Sequence, residues 1–169
     1  MYDELTEVDI RKMEEEISYR TVVLRPKLIE DVQTARGFGD LSENFEYKCA
    51  KRDKNRNDSR IRYLQRMIQT AKIIRPDASD TADRAGLFDT VVIIPAPTGV
   101  PQTIRIVTTL RQDALKGLIS KESPVARAVL GHRAGEIVRV ELGEGRGYEL
   151  TIKSVEKGTD DPSLDISGY

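Results

Sequence analysis

The sequence predicts an α+β protein: an N-terminal antiparallel α-helical coiled-coil hairpin, then a small antiparallel β-sheet domain with one short helix. Three observations predict it. Two rows of residues recur at spacings of three and four on either side of the polar segment Gly37-Phe38-Gly39-Asp40-Leu41-Ser42-Glu43-Asn44. The helical period stops at Arg75-Pro76-Asp77-Ala78-Ser79-Asp80. Beyond that point come short β-branched runs bounded by glycine and proline.

The first row is Ile10, Met13, Ile17, Thr21, Leu24, Leu28, Val32 and Ala35, and the second is Tyr47, Ala50, Lys54, Asn57, Ile61, Leu64, Ile68 and Ala71. Both follow the seam of a coiled coil. Folded at the polar segment they pair in order, from Ile10 with Ala71 to Ala35 with Tyr47, and the position numbers of every pair add to 81 or 82. A single turn near Asp40 or Leu41 satisfies them all. An arm of about thirty residues at ~1.5 Å each extends roughly 45 Å.

Ser42, followed by Glu43 and Glu46, is the expected N-cap of the second arm, and Gly37 and Gly39 suit the end of the first. Pro26 predicts a kink or break near Arg25. Lys54 and Asn57 make the tip half of the seam polar, an arrangement that fixes register more than it stabilises. Asp40 and Glu43 fall at the turning point, where no core needs them. They suit delivery to a site elsewhere, although acids in a first helical turn also serve as ordinary capping groups.

The 169 residues carry a net charge of −1, unevenly spread: residues 1–43 sum to −5 and residues 44–75 to +7. The second arm is a basic helix, and its cluster near the tip, joined by Arg36, suits phosphates; part of that charge pairs with the acidic first arm or simply solvates the helix. No apolar run approaches membrane-spanning length, and the acidic Asp3, Glu4, Glu7 and Asp9 stand where a signal peptide would be basic, so a cytoplasmic protein without a membrane partner is expected. The single Cys49 excludes an internal disulfide and a cysteine zinc site.

The expected organisation is a hairpin over 1–75, a linker over 76–83, a sheet domain over 84–157 and a disordered tail over 158–169. Within the sheet domain, residues 89–94 and 103–108 read as paired strands. Residues 136–142 and 148–155 form a hairpin around Gly143-Glu144-Gly145-Arg146-Gly147, which lacks the lysine and helix of a phosphate loop. Ser123-Pro124 opens a short helix closed by Gly131. His132 is a turn residue, and Tyr47 a seam residue packing on Ala35.

Two segments, Gly39-Asp40-Leu41-Ser42-Glu43-Asn44-Phe45-Glu46-Tyr47 and Leu118-Ile119-Ser120-Lys121-Glu122-Ser123-Pro124-Val125-Ala126-Arg127-Ala128-Val129-Leu130-Gly131, resemble the bacterial GreA/GreB transcript cleavage factors. The resemblance implies that the sheet domain is FKBP-like and docks at the rim of the secondary channel of RNA polymerase, while the hairpin enters the channel. Asp40 and Glu43 match the acidic tip residues that help hold a Mg²⁺ jointly with the polymerase active site, where a backtracked nascent RNA 3′ end is cleaved. Arg36, Lys51 and Arg52 fall where the family carries a basic patch for extruded RNA, and Glu122, Ser123 and Pro124 match its polymerase-docking loop. The chain would then be a monomeric accessory factor with no cofactor of its own, not itself a nuclease.

Phe45 and Cys49 depart from the alanines usual in the family, and Arg52 and Lys54 lie in a stretch that is often more acidic or glutamine-rich. Relatives that occupy the channel without stimulating cleavage provide an alternative. The FKBP-like fold raises a third possibility, prolyl isomerisation. It is disfavoured because no Phe or Trp follows Thr90 to line a prolyl pocket.

Overall fold

The computed structural model describes residues 3–39, 43–76 and 83–168. It divides into two compact units, one of Ile10–Ala71 and the other of Glu4–Asp9 with Lys72–Gly168. The expected hairpin of 1–75 is therefore shorter, because its first residues and its last few belong to the sheet unit. Of the expected linker 76–83, residues 77–82 lie outside the described residues.

In the helical unit, α1 (Glu7–Tyr19) leads through a π-helical turn, Arg20–Leu24, into α2 (Arg25–Arg36), and α3 (Phe45–Thr70) returns against them. The break expected at Pro26 takes the form of that wide turn. Proline has no N–H to continue the α-helical ladder, and the chain instead widens so that Arg25 N–H donates to the Arg20 carbonyl, five residues back. The wider turn shifts the seam. Thr21 is exposed, and Arg20 takes the inward place.

Val32, Ala35, Leu64 and Met13 are buried as the seam requires, with Met67 beside them. The middle of the seam is polar. Arg20 Nη1 donates to Asn57 Oδ1 at 3.1 Å, and Asn57 Nδ2 donates to the Arg20 carbonyl at 3.3 Å. Buried Arg60 grips Glu16 with two hydrogen bonds, of 2.9 and 3.1 Å. Asp58 accepts from Arg25 at 2.9 Å and from Lys54 at 3.0 Å. The expected place of Thr21 in the seam is taken by Arg20, while Leu24 lines a pocket together with Asn57. Burial pushes the Glu16 carboxyl up, but its hydrogen bonds to Arg60 and Arg20 outweigh that and hold it below the usual carboxylate range.

In the second unit, β1 (Glu4–Leu5) pairs in parallel with β2 (Lys72–Ile73). A five-stranded sheet follows, built from β3 (Thr90–Pro95), β4 (Gln102–Val107), β5 (Leu118–Ser120), β6 (Ile137–Gly143) and β7 (Arg146–Glu156), in the order β5-β4-β3-β7-β6. Alternate residues of β3 and β6 point inward, and α4 (Pro124–Val129) covers that face with Ala126 and Val129. The sheet is mixed and not purely antiparallel, because β5 runs parallel to β4. Three residues are too few to show a strand period, which hides β5 in the sequence.

The expected 143–147 turn tightens to Glu144-Gly145, both at positive φ (53° and 73°), as a two-residue hairpin loop requires. Gly147 is fixed by space: a Cβ there would lie 2.3 Å from the Val140 carbonyl oxygen.

The tail expected to be disordered is packed as far as Gly168, Tyr169 lying outside the described residues. Gly158 N–H donates to Asp89, Ser167 N–H donates to the Leu110 carbonyl, and Leu164 packs on the cluster of Phe88, Val107 and Leu118. What holds it is Arg111, which is fully buried. The guanidinium donates to Asp9 Oδ1 at 2.6 Å, Thr6 Oγ1 at 3.2 Å and the Asp161 carbonyl at 3.1 Å. It also lies 2.6 Å from Asp160 Oδ1, a charge contact without hydrogen-bond alignment, and 5.3 Å from the centroid of the Phe88 ring. Chain ends are poorly ordered unless something ties them down, and here an acid and a carbonyl of the tail satisfy a buried cation.

Candidate functional site

At the hairpin tip, α2 ends with Gly37 N–H donating to the Thr34 carbonyl and Phe38 N–H to the Ala35 carbonyl. Gly37 keeps helical dihedrals, and the residue that needs glycine is Gly39, at φ 130°. Asp40, Leu41 and Ser42 lie outside the described residues. Glu43 is exposed.

The cap of α3 is Asn44, not the expected Ser42. Its Oδ1 accepts from Tyr47 N–H at 3.0 Å while its Nδ2 donates to the Ala35 carbonyl at 2.6 Å. One side chain thus starts the second arm and ties it to the end of the first. Glu43 immediately precedes this brace, which fixes where its backbone leaves the tip.

Tyr47 is half-buried, as a seam residue should be, and does more than pack. The Arg36 guanidinium lies 5.6 Å from its ring centroid and Lys51 Nζ 6.0 Å. A hydrogen bond from Arg36 holds the phenol below its ordinary range. Two of the three expected basic residues, one from each arm, are therefore gathered by one tyrosine. Arg52 is also exposed, its Nε 3.7 Å from Asp53. It lines a shallow groove on the outer face of α3 with Lys48, Lys51, Asn55, Arg56 and Ser59. The sequence signal for the tyrosine was present: its spacing places it on the seam one turn from Lys51.

In the sheet unit, Glu122, Ser123 and Pro124 form one contiguous patch at the start of α4. Ser123 Oγ accepts from Ala126 N–H at 3.1 Å and caps the helix, Pro124 occupies its first turn, and Glu122 Oε2 takes a hydrogen bond of 2.6 Å from Arg127. Glu122 and Pro124 are exposed. Lys121 beside them is bound to Glu4, which is held below the usual carboxylate range by hydrogen bonds from Lys121 and Lys72. The sequence also carried an unread capping box, Thr6-Glu7-Val8-Asp9: Thr6 N–H donates to Asp9 Oδ2 and Asp9 N–H to Thr6 Oγ1.

Among the described residues, no group of three or more His, Cys, Asp or Glu could hold a metal ion, and no helix is long and apolar enough to cross a membrane.

Residues 4–73 match the family model described as "Transcription elongation factor, N-terminal", and residues 79–157 match "Transcription elongation factor, GreA/GreB, C-term". The chain belongs to the GreA/GreB family. It is 38% identical over 151 residues to a transcription elongation factor GreA of Geobacillus kaustophilus, covering 89% of this chain and 93% of that one. It is 36% identical over 146 residues to the Bacillus subtilis protein of the same name, with 86% and 90% covered. Among solved structures it is similar to GreA factor homolog 1 of Thermus thermophilus, at 19% identity and a TM-score of 0.42, covering 93% of this chain and 100% of that one. Membership in the family carries the α+β architecture.

Proposed function

We propose that this chain is a transcription elongation factor that binds RNA polymerase and stimulates the polymerase's own cleavage of backtracked nascent RNA, so that arrested complexes resume synthesis. The observation that carries the proposal is a GreA/GreB-family hairpin with a carboxylate, Glu43, exposed at its tip beside the braced start of α3. The hairpin enters the secondary channel, and the patch of Glu122, Ser123 and Pro124 docks at its rim.

Asp40 and Glu43 would hold a Mg²⁺ jointly with the polymerase. The ion, when bound, supplies activation of water or stabilisation of the leaving oxygen. Mg²⁺ accepts one or two protein carboxylates with its remaining ligands from water or substrate, and an exposed tip carboxylate fits such a shared site. Arg36 and Lys51, set over Tyr47, and Arg52 beyond them hold phosphates of the extruded RNA.

The test is cleavage by stalled polymerase complexes. Asp40→Ala and Glu43→Ala should each abolish stimulation while polymerase binding persists. Cleavage at the wild-type rate in either variant would sink the shared-metal mechanism. A wild-type protein that binds polymerase without stimulating cleavage would establish the alternative of a channel-occupying regulator.

A further inference from the structure

Of the chain's three phenylalanines, Phe88 is fully buried, whereas Phe38 is 66% exposed and Phe45, the first residue of α3, is 75% exposed. The exposed Phe45 ring beside the tip offers a bare apolar face that a partner could cover. Helical spacing puts Phe45 on one face with Lys48, Arg52, Asn55 and Ser59, at successive steps of three, four, three and four. The last four of these line the groove on the outer face of α3. An aromatic ring therefore heads a basic strip that runs away from the tip. Over 14 residues the strip extends about 21 Å.

A flat ring followed by cations is how proteins hold single-stranded nucleic acid without reading its sequence. Bases stack on the ring, because every base has a π-face, and the cations follow the phosphates. The ring also stands within two turns of Lys51 and Arg52, which the proposed function assigns to RNA.

We propose that Phe45 is a stacking platform for one unpaired base of the extruded RNA, and that Lys48 and Arg52 carry the following phosphates along the outer face of α3. This rests on the proposed function for the source of the RNA and adds to it a contact with the base itself. The residue acts by positioning the strand and takes no part in the chemistry. Because phenylalanine offers no hydrogen bond, the site accepts all four bases.

The test uses the full chain on stalled polymerase complexes whose extruded RNA carries 2-aminopurine, whose fluorescence is quenched on stacking. The wild type should quench it. Phe45→Ala should abolish quenching and slow cleavage about tenfold, within the range that one base–aromatic contact supports. Phe45→Trp should retain both effects. Phe45→Leu, equally apolar but without a π-face, should behave as alanine does. An abasic nucleotide at the stacked position should erase the difference in cleavage between wild type and Phe45→Ala.

Lys48→Gln with Arg52→Gln should weaken the quenched complex at low salt, with the gap closing as salt rises. If Phe45→Leu behaves as wild type and the abasic nucleotide changes nothing, the ring packs on a polymerase surface and the stacking platform is wrong. Quenching that depends on Phe45 with no stimulated cleavage would keep the platform and overturn the cleavage function. Cleavage indifferent to Phe45 would do the reverse.

Discussion

Arg111 and Arg36 each lie over an aromatic ring at nearly equal distance, 5.3 Å from Phe88 and 5.6 Å from Tyr47. Their surroundings make them opposites. Arg111 is completely buried and meets Asp9, Thr6, Asp160 and the Asp161 carbonyl. Arg36 is exposed at the end of an arm. A buried guanidinium must satisfy its donors within the protein, so its partners become obligations of the fold. An exposed one over a ring is positioned but still in water, and an anion from outside can approach it. The same side chain serves architecture in one unit and, by the proposed function, recognition in the other.

The sharpest way to break this contrast is to remove one partner from the buried set. Asp9→Ala leaves Arg111 charged and buried with a lost partner, and should cost about 3–5 kcal/mol of stability in the sheet unit. Denaturant unfolding measures it, and a loss below 1 kcal/mol would mean that the cluster is not the closure it resembles.

Next in size is Glu16, which holds buried Arg60 across the arms. Its carboxyl titrates below the ordinary value in the folded chain, so its stabilising share is present above that ordinary value, near 4.5, and is lost as pH falls through the depressed one. Glu16→Gln should therefore weaken the helical unit by about 2 kcal/mol at neutral pH. It should also flatten the loss of stability on acidification, followed by helical circular dichroism from pH 7 to pH 3.

The smallest stability effect belongs to the exposed pair. Arg36→Ala with Lys51→Ala should change unfolding by no more than about 0.5 kcal/mol. The functional effect should be larger for long extruded RNA than for short and should shrink as salt rises, since more phosphates are then in play. Cleavage rate against backtrack length at two salt concentrations sharpens the contrast. Equal losses at all lengths without salt dependence would reduce these residues to helix solvation.

What the sequence disclosed follows from what is local. The hairpin, the proline disturbance and the main strands are periodic or punctuated features, visible within a dozen residues. Pro26 announced a break, yet whether the chain would kink or widen depended on the partner helix, and the wider turn exchanged Thr21 for Arg20 at the seam. Of the residues picked out by motif, Arg36 and Lys51 meet over one tyrosine in the helical unit, and Glu122, Ser123 and Pro124 adjoin at the start of α4 in the sheet unit. Tyr47 and Asn44 act across the two arms, and their second partners, Arg36 and the Ala35 carbonyl, belong to the other helix. The Arg111 cluster was invisible for the same reason at greater range: Asp9 and Arg111 are separated by 102 positions, and no local pattern marks an arginine as buried.

That separation has a consequence for the order in which the protein is made. The sheet unit begins with Glu4–Asp9, is interrupted by the whole helical unit, and resumes at Lys72. On the ribosome the helical unit is continuous and can close as soon as Ala71 has emerged, from contacts with modest loop costs. Asp9 must wait through all of it for Arg111, and Arg111 must then wait for Asp160 and Asp161. The nascent sheet unit therefore carries an arginine without its full set of partners until Asp161 has been added. A chain interrupted before Asp160 would release a finished hairpin attached to a sheet unit whose buried arginine lacked its last partners.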